Sequence, residues 1–292
     1  MNKTLVGILC GLGAASIWGG MYVVSKVVLE IIPPFSLVSL RLILGALTLA
    51  VVLFVRGFLK ISRQQLLQVL GVGFVGYGIS LSLQFLGTKL STAANGSLVT
   101  SATPAFVLLF AWILLKEKIT ALRLFALLLA TLGVVAVIDP HSAQLNPELF
   151  VGNLLLIGAA ITWALYSVLV RKVTQNLDVL PFSLIAFIGG LPVSLPAGAL
   201  ELNRIGIGEI SLGVIGGVLF LGIISTALAM VLWNTAFALV DASLASLTFF
   251  AQPVVGTVLG WVFLGERITP LFLLGGLLIA LGLVISSREK PA

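Results

Sequence analysis

Charged, cysteine and histidine residues are all scarce in this chain. Lys, Arg, Asp and Glu make up only 9% of its 292 residues, and there is one cysteine, Cys10, and one histidine, His141. A lone cysteine excludes a disulfide framework, and one cysteine with one histidine excludes the usual zinc sites. There is also no His-Glu-x-x-His motif, P-loop or nucleophile elbow. Nothing therefore indicates an enzyme, and no cofactor or bound metal is expected.

Acidic side chains are missing from the apolar stretches of the chain, although Asp and Glu occur between them. An intramembrane carboxylate is a common element of proton relays. Its absence argues against proton coupling through a carboxylate.

Long apolar runs dominate what is present. Hydrophobic residues make up 60% of the chain, its mean hydropathy is +1.23, and a membrane-spanning helix needs about 20 apolar residues. The predicted spans are Leu5–Val28, Pro34–Val55, Leu66–Leu86, Thr92–Leu115, Ala121–Ile138, Val151–Val170, Pro181–Leu200, Leu212–Leu239, Ala242–Leu264 and Pro270–Ser286. The predicted fold class is therefore all-α: a polytopic membrane protein with ten transmembrane helices.

The net charge of +6 is explained by the distribution of the cations. With ten spans and a cytoplasmic N-terminus, eleven Lys and Arg residues fall in or beside cytoplasmic segments and three on the other side. This is the positive-inside pattern. We expect a multi-pass protein of the bacterial inner membrane with both termini in the cytoplasm, and no nucleic acid as partner.

The two halves of the chain repeat each other. Trp18 recurs as Trp163, 145 positions later, and Pro104 recurs as Pro253, 149 positions later. We call these two spacings the tryptophan offset and the proline offset; one loop insertion explains the difference between them. In duplicated membrane bundles the substrate site usually lies between the halves.

We place the repeats at residues 1–140 and 150–292, with five spans each. Because five is odd, the second repeat must start on the opposite side of the membrane from the first. The repeats are therefore predicted to be inverted, related by a pseudo-two-fold axis in the membrane plane.

Aromatic and polar side chains deep within the spans are the candidate substrate-binding residues. The expected cavity walls are Trp18, Tyr22, Tyr77, Trp163, Tyr166 and Trp233, and the expected polar contacts are Gln84, Asn95, Asn234 and Gln252. Ordinary helix packing and interhelical hydrogen bonding are the alternative roles. As a set, these residues indicate a partly polar central cavity.

Two prolines and two cations complete the candidate site. Pro104 and Pro253 lie about midway along the fourth and ninth spans, where each frees a backbone carbonyl and could act as a hinge. Lys26 and Arg41 are assigned to a charged pathway or gate. For Arg41 a structural or gating ion pair, with Glu30 as a possible partner, is favoured over direct substrate contact, because an embedded charge is costly unless paired.

Several segments resemble the drug/metabolite transporter superfamily, in its ten-span branch with two EamA repeats. They include Ala15-Ser16-Ile17-Trp18-Gly19 and the doubled pattern of a proline followed by Leu115-Lys116-Glu117-Lys118-Ile119-Thr120 or Leu264-Gly265-Glu266-Arg267-Ile268-Thr269. The resemblance implies a ten-helix bundle around a central cavity, with the first, third, fourth, sixth, eighth and ninth spans along the path. It also implies transport of small metabolites, and export of amino acids is common among bacterial members.

The resulting hypothesis is an alternating-access transporter that exports small metabolites, with amino acids as the favoured class. A multidrug or nucleobase exporter is the alternative within transport, and a channel or pore is the alternative of another class. The expected partners are a small-molecule substrate and the lipid bilayer, and the protein is expected to be a monomer or a homodimer.

Overall fold

The computed structural model describes residues 2–57, 61–91, 96, 99–138, 147–264 and 270–288. Its helices follow the order of the predicted spans. The first five are α1 (Lys3–Ile31), α2 (Pro34–Arg56), α3 (Arg63–Leu90), α4 (Thr103–Leu115) and α5 (Ala121–Ile138). The second five are α6 (Phe150–Val173), α7 (Val179–Arg204), α8 (Leu212–Leu239), α9 (residues 242–264) and α10 (Pro270–Ser287).

Six of these helices, α1, α2, α3, α6, α7 and α8, are long and apolar enough to cross a membrane by length and composition. Within the described residues, α4, α5, α9 and α10 contribute shorter apolar helices. No strand occurs in the part of the chain that the structure describes. The all-α membrane fold predicted from the sequence is confirmed.

Local chemistry fixes several helix ends. Ser62 and Gln65 form a reciprocal capping box at the start of α3, and the side chain of Asp178 accepts from the backbone N–H of Leu180 at the start of α7. Such caps satisfy backbone donors that lack a partner in the first helical turn. At the end of α2, Gly57 adopts a φ of 90°, a conformation that L-residues with a side chain rarely adopt.

Matched irregularities interrupt the central helices. In α3 the segment Phe74–Ser80 is π-helical, and in α8 the segment Phe220–Leu228 is π-helical; the second overlaps the first when it is shifted by the proline offset. In α9 a short 3-10 turn, Thr248–Phe250, precedes the helix that contains Pro253. In the first repeat a turn likewise precedes the helix that contains Pro104. Wide turns and broken helices are frequent at functional sites.

Helix pairing follows the duplication. Helix α5 packs against α10, and α2 against α7. Helix α1 packs against α8 and α9, and α6 packs against α3 and α4. Each helix has an equivalent in the other repeat, five places along the chain. When every helix is replaced by its equivalent, each pair becomes a pair of the same set; for example, α1 with α8 becomes α6 with α3. The two halves are thus arranged about a pseudo-two-fold axis, as expected for inverted repeats.

Small residues give the same relation at atomic detail. In α5, Gly133 lies against the backbone of Gly275 and against Ile279 in α10. In α10, Gly282 lies against Ala126 and Ala130 in α5. All of these contacts interchange under the proline offset. They let two helices approach closely, as small residues do in lipid.

The bundle has two distinguishable ends. We call the end at which α1 begins the amino-terminal end; there Gly7 lies against Val240, and Glu117 accepts from the backbone N–H of Ala242 at 2.9 Å. At the opposite end the backbone N–H of Ser36 donates to Glu201 at 3.0 Å. Helix α6 runs toward the amino-terminal end, because Arg171 in its last turn donates to the backbone oxygen of Ala238, close to Val240. Residues late in α6 therefore lie nearer to that end than residues early in it.

Candidate functional site

Three tryptophans meet at the centre of the bundle. The ring centroids of Trp18 and Trp163 are 5.7 Å apart, those of Trp18 and Trp233 are 5.3 Å apart, and those of Trp163 and Trp233 are 6.4 Å apart. Trp18 and Trp163 hold equivalent positions in the two repeats. The structure therefore brings these three candidate residues together where the repeats meet.

A hydrogen-bonded layer lies beside the tryptophans, toward the amino-terminal end. The hydroxyl of Tyr77 hydrogen-bonds that of Tyr166, which donates to the Asn234 side-chain oxygen at 2.8 Å. The amide nitrogen of Asn234 donates to Ser183 Oγ at 2.9 Å. All four residues are fully buried. They join α3, α6, α7 and α8, so their polar atoms connect helices of both repeats.

A small cavity lies on the other side of the tryptophans, toward the opposite end. It offers about 30 Å³ to the centre of a water molecule, which is room for roughly two waters and too little for a metabolite. Five of the candidate residues line it: Trp18, Arg41, Gln84, Trp163 and Gln252. The conformation is therefore contracted around a mostly apolar chamber.

Arg41 is fully buried and lines this cavity. Its Nε donates to Thr226 Oγ1 at 3.0 Å, and one terminal nitrogen lies 3.4 Å from Ser225 Oγ. The guanidinium carbon lies 4.7 Å from the centroid of the Phe85 ring, a cation–π arrangement. The choice of Glu30 as a possible partner is wrong: both residues are described, no ion pair joins them, and the Glu30 side chain is exposed. Among the described residues, neutral hydroxyls and an aromatic face contact the guanidinium.

The second repeat carries no cation in the place of Arg41. Gly45 lies against Phe187 and Thr226, and Gly190 lies against Leu42 and Tyr77. The two sets of contacts are equivalent. In α2 and α7 the tryptophan offset relates Gly45 to Gly190 and Leu42 to Phe187, and in α3 and α8 the proline offset relates Tyr77 to Thr226. The tryptophan offset makes Ala186 the equivalent of Arg41. The positive charge therefore belongs to one side of the site only.

The remaining candidates fall outside the cavity lining. Lys26 is exposed, and Tyr77, Tyr166, Trp233 and Asn234 lie in the layers next to the cavity. Pro104 and Pro253 are buried in the first turns of the helices that follow the breaks in their spans. Asn95 and the side chain of Tyr22 lie outside the described residues.

Ion pairs close the amino-terminal end. Arg123 lies 2.8 Å from Asp241 and 3.4 Å from Glu117. Arg171 lies 3.5 Å from Asp241 and donates to the backbone oxygen of Ala238 at 3.0 Å. The Glu117 carboxylate also accepts from the first backbone N–H groups of α9. We call Glu117, Arg123, Arg171 and Asp241 the end cluster.

Sequence reasoning missed most of the end cluster and several cavity residues. Met21, Ser80, Thr103, Met230 and Phe249 line the cavity without having been candidates. Applying the proline offset to Leu81, a lining residue of the first repeat, would have found Met230. The offset identifies a further cavity residue only when its equivalent in the other repeat is already known to face the cavity. Among the described residues, no group of three His, Cys, Asp or Glu side chains is suited to hold a metal ion.

Comparisons with known proteins place this arrangement in context. A family model described as the EamA-like transporter family matches residues 5–138 and again residues 150–288. One similar protein, "Uncharacterized transporter YoaV" of Bacillus subtilis, is 26% identical over 301 aligned positions that cover 99% of this chain and 100% of the relative.

Two further comparisons reach beyond that organism. An "Uncharacterized transporter" of Archaeoglobus fulgidus is 28% identical over 94% of this chain and 95% of its own length. A solved crystal structure superposes with a TM-score of 0.79 at 21% identity and covers 96% of both chains. At that identity the superposition speaks for the fold alone.

Proposed function

Because this chain belongs to the EamA-like transporter family, we propose that it is an alternating-access carrier that exports small metabolites, with amino acids the favoured class. We place it in the bacterial inner membrane, with the amino-terminal end facing the cytoplasm. The two moving units are the repeats at residues 1–140 and 150–292, with their helices interleaved.

One observation carries the proposal: the cavity is lined by pairs of equivalent residues from the two repeats. Trp18 pairs with Trp163 by the tryptophan offset. The pairs related by the proline offset are Leu81 with Met230, Thr100 with Phe249, and Thr103 with Gln252. A site on the pseudo-two-fold axis keeps these residues when the repeats exchange conformations. Inverted repeats use that exchange to expose one site to each side of the membrane in turn.

The contacts at the amino-terminal end support a closed cytoplasmic side in this conformation. Three layers lie between the cavity and that end: the tryptophans, the Tyr77–Tyr166–Asn234 hydrogen bonds and the end cluster. A solute cannot pass these layers without a rearrangement of helices. The helix breaks before Pro104 and Pro253 supply positions at which segments can tilt. A sealed path with a central chamber favours a carrier over an open pore.

Counterflow into liposomes tests the function. The purified full-length chain is reconstituted, loaded with unlabelled amino acids and exposed to tracer amounts of each labelled amino acid. We expect saturable counterflow of at least one. The variant Ala160→Leu, which fills the cavity wall, should abolish the flux. The variant Ala121→Leu, which makes the same change at an exposed helix start, should retain it.

The same preparation separates the other readings. Saturable flux of cationic dyes or nucleobases without amino-acid flux would replace the favoured substrate class. A steady single-channel current in planar bilayers would replace the carrier by a pore. The absence of all three signals would contradict transport by this site.

A further inference from the structure

Three residues that line the cavity each carry a buried polar atom without a hydrogen-bond partner among the described residues: Trp163 Nε1, Thr103 Oγ1 and Gln252 Oε1. Their side chains are at most 7% exposed. Leaving a buried donor or acceptor unsatisfied is costly, so such groups are rare and call for an explanation. The indole N–H of Trp163 is a donor, the Thr103 hydroxyl can donate or accept, and the amide oxygen of Gln252 is an acceptor.

Comparison between the repeats shows that the vacant donor on Trp163 is specific to this side of the site. The equivalent indole N–H, on Trp18, donates to the backbone oxygen of Ser225 at 3.0 Å. By the proline offset the position equivalent to Ser225 is Gly76, and Gly76 lies against the ring of Tyr166. The indole of Trp163, a cavity-lining residue, therefore keeps an N–H group without a partner among the described residues, whereas the Trp18 indole uses its own within the fold.

Arg41 adds a positive charge to the same wall. Its guanidinium is held by the hydroxyls of Thr226 and Ser225. The described lining of the cavity contains no acidic side chain. In a chamber of low dielectric constant this charge and the neighbouring donors favour an anionic group.

The geometry points to a binding site for a small zwitterion, in which Arg41, the Trp163 N–H and the Thr103 hydroxyl receive a carboxylate and Gln252 Oε1 accepts an N–H from the ammonium group. The contracted cavity must widen to admit the zwitterion, whose apolar part then packs against Met21, Leu81, Met230 and Phe249, which line the remaining wall. The inference rests on the proposed function for the identity of the site as the transport site. The binding chemistry is read from the side chains themselves.

The inference predicts that some substitutions weaken ligand binding without lowering the stability of the free protein. Replacing a side chain that bonds within the protein lowers stability, whereas removing an unsatisfied donor leaves the stability of the free protein unchanged or raises it. Thr103→Val deletes one such donor at nearly equal volume, so the prediction about stability applies to this variant. Trp163→Phe deletes the other donor but also shortens a ring that packs against Trp18 and Trp233. Each should weaken zwitterion binding by about tenfold, because a hydrogen bond to a charged group is lost.

Thermal unfolding of the detergent-purified full-length chain measures both quantities, since a bound compound raises the unfolding midpoint with its concentration. The twenty standard amino acids are titrated first. For the one that binds most tightly, the decarboxylated amine and the deaminated acid follow. We expect binding of the amino acid, weaker binding of the acid and the weakest binding of the amine. Arg41→Gln should remove the preference for the carboxylate, and Arg56→Gln, at the exposed end of the same helix, should keep it.

The outcomes separate this inference from transport. Carboxylate-dependent binding that falls in Trp163→Phe and Thr103→Val, with an unchanged midpoint of the free Thr103→Val protein, supports the site even if no flux is seen in liposomes. Amino-acid flux that both variants retain at wild-type affinity overturns the site and leaves transport standing. Failure of every amino acid to shift the midpoint of the unsubstituted chain also overturns it. If Arg41→Gln does not fold, the two donor variants decide the question alone.

Discussion

Asn234 is a buried residue at which polar contacts from several helices meet. It accepts from Tyr166 at 2.8 Å and donates to Ser183 at 2.9 Å, and it is fully buried. Replacing it by Leu keeps the approximate volume but removes its hydrogen bonds to Tyr166 and Ser183. We expect Asn234→Leu to lower the free energy of unfolding by about 1–2 kcal/mol, the upper range for interhelical hydrogen bonds in membranes.

The neighbouring Thr235 provides the matched control for that prediction. Its hydroxyl donates to the backbone oxygen of Val231 in its own helix at 2.7 Å, so it joins no helices. Thr235→Val should change the unfolding midpoint little. Equal effects of the two substitutions in detergent unfolding curves would mean that the network around Asn234 contributes no interhelical stability.

Single residues show where sequence reasoning succeeds and where it stops. Trp18 and Trp163 were identifiable because tryptophan far from a span end is not acting as an interface anchor. The surroundings of Arg41 were not identifiable, because its contacts Thr226 and Ser225 are short hydroxyl residues of the kind that commonly bond their own helix. Only the three-dimensional pairing of α2 with α8 shows that they hold a guanidinium.

Close packing of α5 on α10 yields a prediction at the scale of helices. A Cβ atom added at Gly282 would lie 2.7 Å from the backbone oxygen of Ala126, so the helices would have to move apart. Gly282→Ala should therefore lower the unfolding midpoint despite the better helix propensity of alanine. Gly276, in the same helix, has open space at its Cβ position. Gly276→Ala should leave the midpoint unchanged or raise it, and a loss equal to that of Gly282→Ala would contradict the packing argument.

The start of α9 depends on an acid from the other repeat. Glu117 accepts from the backbone N–H groups of Ala242 and Ser243 at 2.9 and 3.3 Å. A carboxylate at this position satisfies free donors and complements the helix dipole. Glu117→Ala should cost about 1–2 kcal/mol in the free energy of unfolding. The exposed Glu209 supplies the control, and Glu209→Ala should cost almost nothing in the same chemical-denaturation series.

Helices were easier to predict from the sequence than their interruptions. Continuous apolar runs mark a membrane helix, so α2, α6 and α8 lie close to their predicted bounds. The π-helical segments at Phe74–Ser80 and Phe220–Leu228 have no such signal, because hydropathy is insensitive to the number of residues per turn. Glycines are frequent near both segments, but glycine is also frequent in ordinary transmembrane packing.

At the scale of the whole molecule, the duplication predicted a pseudo-two-fold axis but not which helices would meet on it. The pairs α5 with α10 and α2 with α7 each join equivalent helices. The pairs α1 with α8 and α6 with α3 instead exchange with each other. A sequence offset states which positions are equivalent, whereas contacts between them depend on how the faces of ten helices complement one another.

The ion pairs break this symmetry at the two ends of the bundle. By the proline offset the positions equivalent to Arg123 and Asp241 are Phe272 and Thr92, and by the tryptophan offset the equivalent of Arg171 is Lys26. The same set of ion pairs cannot form at the opposite end with those residues. Pairs that are mostly shielded from water contribute more than exposed ones, and losing one partner leaves the other charge uncompensated. The end cluster should therefore bias the resting protein toward the conformation that is closed at the amino-terminal end.

Weakening the end cluster should open that end without any change in the cavity. In a Cys10→Ala background, Ala160→Cys places a thiol in the cavity wall, and a membrane-impermeant maleimide is added to inside-out vesicles. Arg123→Gln removes contacts to both Asp241 and Glu117. It should raise the labelling rate roughly tenfold, the effect of about 1.4 kcal/mol on a two-state equilibrium.

Arg63→Gln, an exposed change at the same end, should leave the rate unchanged. Because the maleimide reaches the cavity from one side only, a rate that is equally slow in both variants would mean that the Trp and Tyr layers, and not the charges, hold this end closed.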